Sequence, residues 1–317
     1  FGGDPDNVTI AGESAGAFSV ATIMAMKEST GLFHKAIAQS GAGHHVIAQE
    51  EAQSAGKMFM EALSATSLVE AQRKDIQEVL AAQKYVEDNA HKVMTKGQLP
   101  FYPSITNGYI DDHPIALFYK GASSNIPVLT GTNTDETTLW GTNQIPEHKL
   151  EKWLKNYVTE PERFISAVKE DRGDISAGEI ALAISTDHTF RIPAIQMAEA
   201  REKNGGETWM YEFDWKSKAF NGALGACHAL EIPFAFGTLG VNGTDVFLGT
   251  PDLPHELGDI MHHAWAAFIA TGKPETQRLS NWPTYSPTSR TVMRFADTTE
   301  LTHDPWPSAR KSWEGVR

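Results

Sequence analysis

Five residues carry the strongest chemical signal in the chain, Gly12-Glu-Ser-Ala-Gly16. A free serine hydroxyl is a poor nucleophile near neutral pH. It needs an adjacent base, and donors for the oxyanion it creates. The Gly-x-Ser-x-Gly spacing supplies part of this. Val8–Ile10 predicts a short strand, and Ser14–Met26, rich in Ala and Met and nearly uncharged, predicts a buried helix. The chain must turn sharply between them, with Ser14 at the tip and the glycines letting backbone and helix approach. The N–H of Ala15, at the helix start, then becomes one oxyanion donor.

A serine of this kind needs a histidine base and an acid that orients it. Twelve histidines are available. The pairs His44-His45 and His262-His263 point their neighbours in different directions and make poor metal sites, so no metal is expected. His228 is placed differently. It follows the predicted strand Thr208–Phe213, inside Gly225-Ala-Cys-His-Ala-Leu-Glu-Ile-Pro233. A loop after a strand sets its side chain at the carboxyl edge of the sheet, where Ser14 also sits. Glu136 follows the predicted strand Ile126–Gly131 by the same logic, giving the chain order serine, acid, histidine.

The elements that must hold these residues read as α/β. Short β-branched runs (Val8–Ile10, Lys35–Gln39, Ile126–Gly131, Thr208–Phe213) alternate with helical stretches. Apolar residues at three- and four-residue spacing predict helices over Glu50–Thr66, Leu68–Val86, Asp187–Lys203 and Leu257–Ala270. Pro193 either kinks the third of these or marks its start. The polar, mostly helical stretch 137–207 reads as an insertion between two core strands of a single domain, 1–317. A net charge of −13 argues against nucleic acid as a partner. No apolar run reaches the length of a membrane span. A single cysteine, Cys227, rules out a disulfide within the chain and favours a cytoplasmic setting.

These motifs together resemble the type-B carboxylesterases, the group that includes cholinesterases and bacterial p-nitrobenzyl esterases. Phe1-Gly-Gly-Asp-Pro-Asp-Asn-Val-Thr-Ile-Ala-Gly-Glu-Ser-Ala-Gly16 is similar to the family's serine signature almost residue for residue. Phe33–Gly41 resembles its next strand, Gly131-Thr-Asn-Thr-Asp-Glu136 its acid loop, and Gly225-x-x-His228-x-x-Glu231-x-Pro233 its histidine loop. Trp265-x-x-Phe-x-x-x-Gly-x-Pro274 and Trp282-Pro-x-Tyr285 resemble its closing segment.

The resemblance implies an α/β-hydrolase fold, with a mostly parallel central sheet flanked by helices. It implies hydrolysis of small-molecule carboxylic esters through an acyl-enzyme, without cofactor. Ser14 becomes the nucleophile, His228 the base and then acid, and Glu136 the orienting acid. Glu13 matches a buried glutamate beside the nucleophile, and Ser40 a serine that hydrogen-bonds near the His–Glu pair. Phe101, Tyr102, Leu139 and Trp140 are the candidate pocket residues. Leu139 stands where cholinesterases carry an aromatic, which argues against that branch. The usual Pro-x-x-Asp-Gly reads Pro103-Ser-Ile-Thr-Asn-Gly108 here.

The family's upstream His-Gly-Gly-Gly loop and first strands have no counterpart in the sequence. It therefore reads as a piece whose fold and oxyanion hole a preceding segment would complete, weak or inactive by itself. Two other functions stay open: a related hydrolase of amides, thioesters, carbamates or lactones, and a non-catalytic adhesion module of the neuroligin kind. The presence of Ser14, Glu136 and His228 together argues against the second.

Overall fold

The computed structural model describes residues 2–95, 98–106, 108–249 and 252–316. Phe1, where the serine signature begins, and Asn107 lie outside the described residues. Two compact units emerge, 1–43 with 114–317, and 44–113.

The larger unit is built on a six-stranded sheet in sequential order: β1 (Thr9–Glu13), β2 (Lys35–Gln39), β3 (Val128–Asn133), β4 (Thr208–Phe213), β5 (Thr291–Phe295) and β6 (Thr299–His303). Strands β1 to β5 run parallel, and β6 closes the order antiparallel to β5. Every residue of β2, β3 and β4 is buried. That follows from cover on both faces, which removes the alternation a half-exposed strand would show. Ala36, Ala38 and Val128 pack with α1 (Ala15–Ala25) and the helix Ile192–Glu202. Ile37, Leu129, Trp209, Tyr211 and Phe213 face Met261, Ala264, Trp265 and Phe268 of the helix His255–Thr271.

The four expected strands form, with β1 and β3 running two or three residues further toward their carboxyl ends. The Thr291–Phe295 and Thr299–His303 hairpin is an addition the sequence pattern did not flag. Between β3 and β4 the chain is helical: Glu147–Leu154, Pro161–Arg172, Ala177–Thr186 and Ile192–Glu202, with shorter turns. Pro193 opens the last of these instead of kinking it. Its ring nitrogen cannot donate to the carbonyl four residues back, and the preceding turn, Asp187–Arg191, widens into π-helix.

The smaller unit is mainly two helices, Gln49–Ala62 and Ile76–Asn89, packed through Leu63, Ala65 and Ala82, with Phe59 and Val79 at the margin. Asp75 and Glu78 form a capping box that starts the second helix, so the expected run from Leu68 to Val86 is split into Leu68–Ala71 and Ile76–Asn89.

Candidate active site

Ser14 stands between β1 and α1 with φ 54° and ψ −118°, a backbone conformation that costs about 1–3 kcal/mol for a residue with a side chain. Its N–H donates to the Gln39 carbonyl at 2.9 Å, and its carbonyl accepts from the Phe18 N–H at 2.9 Å. The backbone thus pins the residue from both sides. A Cβ on Gly12 would lie 2.3 Å from the Gly16 carbonyl carbon, so the strand and the helix can approach this closely only with glycine at position 12. The Ser14 hydroxyl does not cap the helix. It has no hydrogen-bond partner among the described residues. Ala15 opens α1, where the first N–H groups lack intrahelical acceptors.

Glu136 and His228 meet at the carboxyl ends of the strands. His228 Nδ1 and Glu136 Oε2 are 2.6 Å apart. The other Glu136 oxygen accepts from the Asn133 N–H at 2.8 Å, and the His228 N–H donates to the Glu136 carbonyl at 3.2 Å. Glu136 is fully buried and His228 nearly so. The two loops are clamped by backbone bonding between Asp135 and Ala226, and by Lys216, which binds Asp135 and Asp214 at 2.6 Å each.

The second imidazole nitrogen faces the end of β1. Nε2 lies 3.1 Å from Glu13 Oε1, an ion-pair distance without hydrogen-bond alignment. Burial pushes the Glu13 carboxyl up to about 7, with His228 pulling the other way. For His228, burial works to lower the pKa. The hydrogen bond and charge of Glu136, then the charges of Glu13 and Glu231, outweigh it and leave the imidazole above its ordinary value. Burial pushes the Cys227 thiol up to about 12, so the side chain stays a neutral thiol beside the histidine.

The remaining expected residues separate. Ser40 is fully buried with φ 51°, and its hydroxyl has no hydrogen-bond partner among the described residues. The expected bond near the His–Glu pair is therefore not made. Trp140 sits over His228 at 5.1 Å between centroids, while Leu139 is turned half outward. Phe101 and Tyr102 belong to the smaller unit, where they pack on Phe59 and His45.

Sequence reasoning missed Phe190. Its ring lies 4.9 Å from His228 and stacks nearly parallel to the rings of Trp140 and Phe18. It rides on the π-helical turn, which a buried pair holds: Arg191 grips Asp187 through Nε at 2.6 Å and Nη2 at 2.9 Å. Pro193 was the available signal, since a proline inside a helical pattern forces an irregular turn ahead of it.

A parallel sheet with helices on both faces, a strained serine turn after one strand and an acid–histidine pair after two later ones make this an α/β-hydrolase fold. The chain belongs to the carboxylesterase family, whose family model matches residues 1–312. It is 32% identical over 321 residues to the para-nitrobenzyl esterase of Bacillus subtilis (strain 168), covering 98% of this chain and 63% of that protein. It is 29% identical over 313 residues to the phenmedipham hydrolase of Pseudarthrobacter oxydans, covering 94% and 61%. A crystal structure of a Geobacillus stearothermophilus carboxylesterase at pH 6.2 superposes with a TM-score of 0.82 at 29% identity, covering 99% of this chain and 65% of that one. The chain thus spans a little under two thirds of each of these three relatives.

Proposed function

We propose that the chain hydrolyses small carboxylic esters through an acyl-enzyme on Ser14. The observation that carries the reading is the buried 2.6 Å contact between His228 Nδ1 and Glu136 Oε2, with Nε2 turned toward the strand end that bears Ser14. Glu136 fixes the tautomer that leaves Nε2 unprotonated, and its charge favours the imidazolium that forms next. Nε2 has no hydrogen-bond partner among the described residues, so it is free to take the Ser14 proton as the oxygen attacks the ester carbonyl. The Ala15 N–H, at the α1 start, supports the oxyanion. His228 then returns the proton to the leaving alcohol. Water repeats the cycle on the acyl-serine.

The near-parallel rings of Trp140, Phe190 and Phe18 give the site an aromatic wall beside His228. Such a wall favours esters with a flat aryl or benzyl group, in keeping with the name of the Bacillus subtilis relative. The test is intact-mass analysis after mixing with p-nitrophenyl acetate. A +42 Da adduct of about that size on Ser14, absent in Ser14→Ala, is the expected result. Hydrolysis that is equally fast in Ser14→Ala, or an adduct that survives the substitution, would reject it.

A further inference from the structure

The site holds a third buried carboxylate that the proposed reaction does not use. Glu231 follows His228 by three residues and is fully buried. Its Oε1 accepts from Gln39 Nε2 at 3.1 Å, and its Oε2 accepts from Asn133 Nδ2 at 2.7 Å. The direction of these bonds is fixed from outside. Trp265 Nε1 can only donate, and it donates to Gln39 Oε1 at 2.9 Å, so Gln39 must turn its NH₂ toward Glu231. The Cys227 carbonyl can only accept, and it takes Asn133 Nδ2 at 2.7 Å, so Asn133 must do the same. Two amide donors therefore face both oxygens of Glu231. An amide there would set an NH₂ against one of these donors, whereas a carboxylate accepts from both.

We infer that Glu231 is a positioning residue held as an anion by this directional network, which ties the His228 loop to the ends of β2 and β3 and keeps a second negative charge behind the imidazolium. The inference rests on the esterase reading for its catalytic consequence. Burial and the Glu136 charge leave the Glu231 carboxyl above its ordinary value, and the two amide donors work against that rise. The charged groups acting on His228 are Glu136 from the loop after β3, Glu13 from β1 and Glu231 from its own loop, with the Tyr211 phenol of β4 close enough to feel the same three carboxylates. Burial raises the Tyr211 phenol well above its ordinary value, so it stays neutral. Asp135, next to Glu136, is neutralised by Lys216.

Glu231→Gln removes the charge and keeps the shape. The His228 titration, followed by NMR of the imidazole nitrogens, is expected to move to lower pH. The acid limb of Ser14 labelling by a fluorophosphonate is expected to move the same way, with labelling at its plateau at least about tenfold slower. Adding Trp265→Phe frees Gln39 to turn its oxygen toward the new amide. The double variant Glu231→Gln/Trp265→Phe is expected to recover labelling severalfold over Glu231→Gln without restoring the titration, because the charge is still missing. A folded Glu231→Gln chain with parental titration and parental labelling would overturn the inference, as would a double variant slower than the single one. If Glu231→Gln does not fold, the double variant decides: folded supports the directional network, unfolded overturns it. The titration does not depend on serine chemistry. A parent that titrates as described but never labels would therefore sink the esterase reading and leave this one standing.

Discussion

The two sides of the site are held by different means. Ser14 is fixed by its backbone: a positive φ, two main-chain hydrogen bonds and a glycine contact too close for any Cβ. The His228 imidazole is held by a side chain, Glu136, and its loop is tied by further side chains, Glu231 to Asn133 and Gln39, from strand ends far apart in sequence. A backbone device must be written in adjacent residues, because only local chain geometry can make it. A side-chain network has no such constraint, and its members scatter. The serine side should therefore fail through folding when disturbed, and the histidine side through proton chemistry.

Glu136→Gln tests the histidine side most severely. The amide cannot stabilise the imidazolium or hold the productive tautomer, and activity should fall by about 10³–10⁴-fold with thermal stability little changed. Rates of p-nitrophenyl acetate hydrolysis and a melting curve check this together. Gly12→Ala tests the serine side in the opposite sense. The added methyl meets backbone that cannot move aside, and the expected loss is about 2–3 kcal/mol of stability by urea titration. Ser14→Gly should move the other way, raising stability by about 1 kcal/mol as the strain is relieved while activity disappears. An unchanged melting temperature in that variant would break the comparison.

Smaller effects should mark the aromatic wall and the pH response. Phe190→Ala should raise KM for a benzyl ester by about tenfold and for a short alkyl ester much less, read from a paired substrate series. In the folded chain Glu13 holds its proton up to about 7 against an ordinary 4.5, so the native state binds more protons than the unfolded state in that interval. Its contribution is complete below pH 4.5 and is lost as pH rises through about 7. The raised His228 loses its contribution in the same direction, above its ordinary 6.5. Denaturant titrations across this range should show falling stability, and Glu13→Gln should flatten the lower part.

This contrast also explains what the sequence disclosed. Gly12, Ser14 and Gly16 announce a turn by spacing alone, and the placement of His228 and Glu136 after strands follows from sheet topology. The hairpin Thr291–Phe295 with Thr299–His303 was hidden, because its residues alternate weakly and β6 is largely exposed. Phe190 was hidden because its position depends on a π-helical turn, and Gln39 and Asn133 because their partners lie 192 and 98 residues away. Glu231 stood in a quoted motif, yet only hydrogen-bond direction gives it a task.

The central claim is that Ser14 is a serine activated by the buried His228–Glu136 pair. Intact-mass detection of a fluorophosphonate adduct on the 317-residue chain, beside Ser14→Ala, tests it most directly. The account predicts one adduct per chain, lost in the variant. A folded chain that takes no adduct, or takes it equally with alanine at position 14, would contradict it.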